Sequence, residues 1–115
     1  MLARFTQIDY DRELALVVLD DAGEIAAVGR YAPNDDGRSA EFALVVGDAW
    51  QGKGVGRALL ERLVTAACAA GYEALYGHIL QANREMLDLA RRLGFVEVDR
   101  SGDAVTVKRS LESPK

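Results

Sequence analysis

The sequence predicts an α+β fold built on a mixed, mostly antiparallel β-sheet flanked by helices. Three short apolar runs lie between residues 14 and 46, separated by turn-forming segments, so the chain opens with strands that meet as hairpins. Two stretches with helical apolar spacing follow, each between strand-like runs, which adds crossovers to the hairpins. A length of 115 residues, half of them hydrophobic, suits one core and one domain over 1–115.

Taken in order, residues 9–14 read as the tail of a short helix. The run from Leu14 to Leu19 is a strand closed by the turn Asp20-Asp21-Ala22-Gly23, and Ile25 to Tyr31 is the second arm of that hairpin. Pro33-Asn34-Asp35-Asp36-Gly37 is a loop, and Ala40 to Val46 a third strand. Gln51 to Gly56 form a Gly-rich turn. A helix follows, with Val55, Leu59, Leu63 and Ala67 at i, i+4 spacing and Leu60 and Val64 widening the stripe. Gly71 suits a left-handed cap. Leu75 to Leu80 is a fourth strand. Asn83 is an N-cap for a second helix whose stripe is Met86, Leu87, Ala90 and Leu93, and Gly94 ends it. Phe95 to Val98 and Ala104 to Lys108 are short terminal strands, and the tail Ser113-Pro114-Lys115 is expected to be loose.

Composition narrows the functional classes. Lys and Arg number 14 against 18 Asp and Glu, a net charge of −4, so there is no basic face for nucleic acid and a mild preference for a cationic substrate. Cys68 is the only cysteine, which rules out an internal disulfide and a thiolate metal cluster; no metal is expected. No apolar run approaches the ~18–20 residues that span a bilayer, and the N-terminus lacks a signal-peptide pattern. The expectation is a cytoplasmic protein without a membrane or nucleic-acid partner.

The informative segment is Trp50-Gln51-Gly52-Lys53-Gly54-Val55-Gly56-Arg57, between a strand and a helix. Glycines let the backbone turn tightly and approach a ligand closely. The first N–H groups of a helix have no internal partner, and the macrodipole favours an anion there, so a diphosphate is the natural guest. The evenly spaced Gly52, Gly54 and Gly56 do not satisfy G-x-G-x-x-G, and no Gly-Lys-Ser/Thr completes a P-loop. Q-x-x-G-x-G does fit, as Gln51, Gly54 and Gly56, with Lys53 and Arg57 able to offset phosphate charge. A fortuitously glycine-rich capping loop is the plain alternative. The strand before, the amphipathic helix after, and Asn83 with Gly94-Phe95 downstream make it the poorer one.

On these residues the chain resembles the GNAT acetyltransferases, which carry Q/R-x-x-G-x-G/A between a strand and a helix. The later Asn83, Arg91-Arg92-Leu93 and Gly94-Phe95 are similar to that family's closing signature. The resemblance spans residues 9 to 110. Ile8-Asp9-Tyr10-Asp11-Arg12-Glu13 and Ala40-Glu41-Phe42-Ala43-Leu44-Val45-Val46 look like the GNAT domain of bacterial protein lysine acetyltransferases. That domain is often fused to an acyl-CoA-synthetase-like or cyclic-nucleotide-binding region, which becomes a possible partner here.

The resemblance implies a GNAT-like fold and acetyl-CoA as co-substrate. Its pyrophosphate would meet Gln51, Gly52, Lys53, Gly54, Val55, Gly56 and Arg57, and its pantetheine arm the backbone of Val45 or Val46 and the side chain of Asn83. It implies an amine acceptor, a protein lysine first and a small amine second, with Glu41 as general base. Each role has a simpler rival. For Glu41 it is a solvated strand-end carboxylate, for Asn83 a helix cap, and for His78 a surface residue rather than an alternative base. Two departures stand out. Ala90 occupies the place where many relatives carry a tyrosine acid. The chain also starts near the end of the usual first strand and helices, so the expectation is a domain lacking that N-terminal strand and helix. A non-catalytic acyl-CoA-binding regulatory module is the competing function.

Overall fold

The computed structural model describes residues 4–10 and 12–111. Seven strands form one sheet in the order β1-β2-β3-β4-β5-β7-β6. They are β1 (Arg4–Tyr10), β2 (Glu13–Leu19), β3 (Ile25–Pro33), β4 (Ser39–Val46), β5 (Ala74–Leu80), β6 (Val96–Ser101) and β7 (Ala104–Ser110). A 3-10 turn at Asp48–Trp50 leads toward helix α1 (Val55–Ala69), and helix α2 (Arg84–Arg92) joins β5 to β6. Among the described residues every neighbouring pair is antiparallel except β4 and β5, the pair bridged by α1. The predicted mixed, mostly antiparallel sheet with flanking helices is what forms.

The two-residue alternation of strands puts Leu14, Leu16 and Val18 of β2, Tyr31 of β3, Phe42 of β4, Leu75 and Ile79 of β5, and Val105 and Val107 of β7 on one buried face. Leu59, Leu60 and Leu63 of α1 are fully buried against it, each worth ~1.5–3 kcal/mol relative to exposure. Leu89 of α2 meets Leu44 and Val46 around Gly56, so both helices cover the same face. The opposite face carries Ile8, Glu41, Val45, His78 and Leu80, all substantially exposed; Val45 is 70% accessible. No described helix covers it.

Both helices stop by the same device. Tyr72 N–H bonds Ala67 O and Gly71 N–H bonds Cys68 O, with Gly71 at φ +93°. Phe95 N–H bonds Ala90 O and Gly94 N–H bonds Arg91 O, with Gly94 at φ +92°. These are paired 6→1 and 5→2 bonds, and in each case the residue after the glycine, Tyr72 or Phe95, is buried in the core.

The structure corrects the reading of the N-terminus. Residues 9–10 and 13–14 are strand rather than a helix tail, and a strand does precede β2: Arg4–Tyr10 pairs with it from Arg4–Leu19 to Tyr10–Glu13. Pairing covers the edge of β2, and Thr6, Ile8, Phe5 and Tyr10 are residue types that suit a pleated surface. Arg12 makes the tight turn at φ +63°, a conformation unusual for a non-glycine residue. Tertiary contacts hold it there: Tyr72 Oη donates to Arg12 O at 2.7 Å, and the Arg12 guanidinium lies 4.9 Å from the Tyr72 ring and donates to Gly37 O. The expected loose tail, Ser113–Lys115, lies outside the described residues.

Candidate functional site

The site begins where β4 and β5 part. Their parallel pairing runs from Ser39–Ala74 to Phe42–Gly77 and stops, although β4 continues to Val46 and β5 to Leu80. Backbone groups beyond that point therefore lack a partner across the gap. Gly47 N–H donates toward β3, to Ala26 O at 2.8 Å. Amide direction alternates along a strand, so Val45 points the same way, opposite Val28, while Leu44 and Val46 turn their amides into the gap. Of the two valines singled out from sequence, Val46 offers its backbone and Val45 does not; Leu44 takes the second place. Gln51 Nε2 donates to Val46 O at 3.3 Å and to Asp48 Oδ1 at 3.3 Å, which ties the Gly-rich turn to the end of β4.

A cleft of about 550 Å³ opens between this strand end and the two helices. Its wall includes Val45, Val46, Gln51, Gly52, Gly54, Gly56, Arg57 and Asn83, so eight of the expected coenzyme-binding residues converge on one cavity. Gly54 is the N-cap of α1 at φ +83°, with no side chain closing the helix mouth, and Gly52 also lies at φ +76°. Nothing stands within 4 Å of where a Cβ would be on either glycine. Open amides at an uncapped helix start, without side chains in the way, fit a diphosphate.

Lys53 and Val55 do not line the cleft. The Lys53 ammonium sits 5.8 Å from the Trp50 ring centroid, and the Val55 side chain is buried in the core, leaving only its amide at the helix start. Arg57 lines the cleft while bonding Glu61 at 2.8 Å, an exposed i, i+4 pair worth little by itself. Asn83 has both proposed placements: its Oδ1 accepts from Met86 N–H at 3.2 Å, capping α2, and the residue lines the cleft. Sequence reasoning missed Leu44, Met86, Leu89 and Arg92, which line the wall together with Trp50. Met86 was visible as part of the α2 stripe, but the stripe does not say which side faces a cavity. Glu85 and Asp88 line it as well, Asp88 with Arg91 at 3.3 Å.

On the opposite face a recess of about 280 Å³ is lined by Asn34, Asp36, Ser39, Glu41, Tyr76 and His78. Glu41 lies one residue before the last β4–β5 pair and His78 one residue after it, so both stand at the start of the gap. His78 Nε2 is 2.9 Å from Glu41 Oε1, and His78 Nδ1 is 3.0 Å from Thr106 Oγ1 on β7. Asp36 organises the loop entering β4. Its Oδ1 accepts from the N–H groups of Arg38 and Ser39, and its Oδ2 accepts from Ser39 Oγ, each at 2.8 Å. Those bonds, the backbone N–H of Arg38 first, hold its carboxyl below the ordinary aspartate value.

Ala90 is fully buried and offers no acid. Among the tyrosines, Tyr31 and Tyr72 are core residues, and Tyr76 borders the recess beside Lys108, whose ammonium lies 5.6 Å from its ring.

The chain is similar to known proteins. A family model described as "Acetyltransferase (GNAT) family" matches residues 1–95. An acetyltransferase of Pseudomonas aeruginosa is 35% identical over 99 residues, which are 84% of this chain and 53% of that protein. The chain thus spans about half the length of that curated relative. Among solved structures, the GNAT domain of S. lividans PAT superposes with a TM-score of 0.79 at 28% identity, covering 93% of this chain and 65% of that one. A GNAT superfamily phosphinothricin acetyltransferase from Sinorhizobium meliloti, in complex with AcCoA, gives 0.78 at 25% identity, covering 86% and 61%.

Proposed function

Since the chain belongs to the GNAT acetyltransferase family, we propose that it transfers the acetyl group of acetyl-CoA to a primary amine, with a protein lysine as the preferred acceptor. One observation carries the reading: the parting of β4 and β5 lies between the cleft on the helix side and the recess holding Glu41 on the other. Coenzyme and amine then approach from opposite faces and meet in the gap.

The cleft residues supply binding. The mouth of α1, with Gln51, Gly52, Gly54 and Gly56, receives the diphosphate, and Arg57 and Arg92 offset its charge. The outward amides of Leu44 and Val46 run beside the pantetheine arm as a missing strand would. A free lysine amine titrates near pH 10.4 and is protonated at neutral pH, so a base must take its proton before attack. Glu41 takes that proton and passes it to solvent. The nitrogen forms a bond to the thioester carbon, the carbonyl oxygen becomes an oxyanion facing a β4 amide, and collapse breaks the C–S bond while the proton still in excess on nitrogen passes through solvent to the departing thiolate. A coenzyme A thiolate is a fair leaving group and picks up a proton without a dedicated acid, consistent with Ala90 at the place of the family's tyrosine.

A lysine acceptor is supported by the openness of the recess. The Glu41 side chain is 48% accessible and no described element overhangs it, so a bulky partner can bring a side chain to it. A small amine is the second reading, favoured by the similarity to the phosphinothricin acetyltransferase. The test is thiol release from acetyl-CoA with lysine peptides and with small amines, with the acetylated product identified by mass spectrometry. Release with peptides supports the first reading and release with small amines alone the second. Tight coenzyme binding with no release from any acceptor would leave a regulatory binding module instead.

A further inference from the structure

The proposed reaction leaves His78 unassigned, although both of its ring nitrogens are engaged. Glu41 on β4, 37 residues away in sequence, accepts at one nitrogen, and Thr106 on β7, 28 residues away, meets the other. The sheet register produces the row. His78 sits directly opposite Thr106 across β5 and β7, and Glu41 pairs with Tyr76, two residues before His78 on the same face. A surface histidine placed by chance has no need of partners on two flanking strands.

For a neutral imidazole, donor and acceptor capacity fixes the pattern. An ionised carboxylate only accepts, so a neutral His78 must carry its proton on Nε2 and donate to Glu41 Oε1. Nδ1 then accepts, and the Thr106 hydroxyl donates to it. Glu41 is about half exposed, and an exposed glutamate samples several rotamers in water. The bond from His78 selects one of them and leaves Oε2 to receive the amine's proton.

We propose that His78 is a positioning residue for this transfer, holding Glu41 at the start of the β4–β5 gap while Thr106 sets its tautomer. This rests on the reading of Glu41 as the base. The amine's proton goes to Oε2 and on to solvent, and His78 keeps its own proton throughout, so it acts through Glu41 and not on the substrate.

The test is steady-state acetylation by His78→Ala, His78→Gln and Thr106→Val, each also titrated with acetyl-CoA. His78→Ala is expected to lower kcat about tenfold with KM for acetyl-CoA unchanged, the effect of removing one orienting hydrogen bond to a charged group. His78→Gln, whose amide N–H can reach Glu41, is expected to recover kcat to within about threefold of the parent, and Thr106→Val to lose about threefold. Combined with Glu41→Gln, the His78→Ala change should cost nothing further, because its only route is through Glu41. The proposal is overturned if Glu41→Gln abolishes turnover while His78→Ala stays within about twofold of wild type, or if His78→Ala costs the same in both backgrounds. Full activity in Glu41→Gln would instead remove the base assignment on which this rests. Should His78→Ala fail to bind coenzyme, the Gln and Thr106→Val variants decide alone.

Discussion

Gly77 faces Phe42 across the last paired register of β4 and β5, and a methyl group on Gly77 would overlap the Phe42 ring. The ring is 5% exposed and packs edge-on against Phe95 at 5.3 Å, so it has nowhere to swing. Gly77 is not at positive φ; it is glycine for lack of room. Gly77→Ala is therefore expected to destabilise the protein by about 1–3 kcal/mol, the usual cost of overpacking a core. Chemical denaturation of the two proteins checks this, and an unchanged midpoint would contradict the packing described here.

The Gly-rich turn yields a prediction about binding rather than folding. A Cβ on Gly56 would make ordinary contacts, 3.5 Å to Val46 and 3.6 Å to Leu89, so the backbone there has room for one. Gly56→Glu places a carboxylate in the cleft where the diphosphate is proposed to lie. Acetyl-CoA affinity is expected to fall roughly a hundredfold, a like-charge penalty of about 3 kcal/mol in a partly solvated site. Calorimetric titration measures it, and thermal unfolding verifies that the variant remains folded.

Asp36 gives a pH prediction. Its folded carboxyl titrates below the ordinary value of 3.8, because the Arg38 and Ser39 N–H groups and the Ser39 hydroxyl bond its ionised form. A lowered folded pKa contributes stability that is present above the unfolded value and lost as pH falls through the folded one. The melting temperature of wild type should thus exceed that of Asp36→Asn at neutral pH, with the gap closing below about pH 4. A gap that widens in acid would contradict the assignment.

Local features of the fold could be read from the sequence, and features that depend on distant segments could not. The Gly-rich turn, the α1 stripe, the Asn83 cap and the glycines ending both helices each rest on neighbours a few residues apart. Strand β1 escaped because Asp9 interrupts its apolar pattern, and its stability comes from pairing with β2 and from Tyr72, which holds the Arg12 turn. The choice between Val45 and Val46 needed the Gly47–Ala26 hydrogen bond, which fixes the direction of alternation. The meeting of Glu41 with His78 depends on β4 and β5 lying parallel in one register, which no spacing within either strand reveals. Arg92 gave no local sign that it faces the cleft.

In the proposed reaction Glu41 removes the amine's proton while the α1 mouth holds the coenzyme independently of it. Turnover by Glu41→Gln, measured at saturating acetyl-CoA beside a calorimetric titration of the same protein, tests this most directly. The kcat is expected to fall about 10²- to 10⁴-fold with coenzyme affinity essentially unchanged. Turnover within a few-fold of wild type would contradict it.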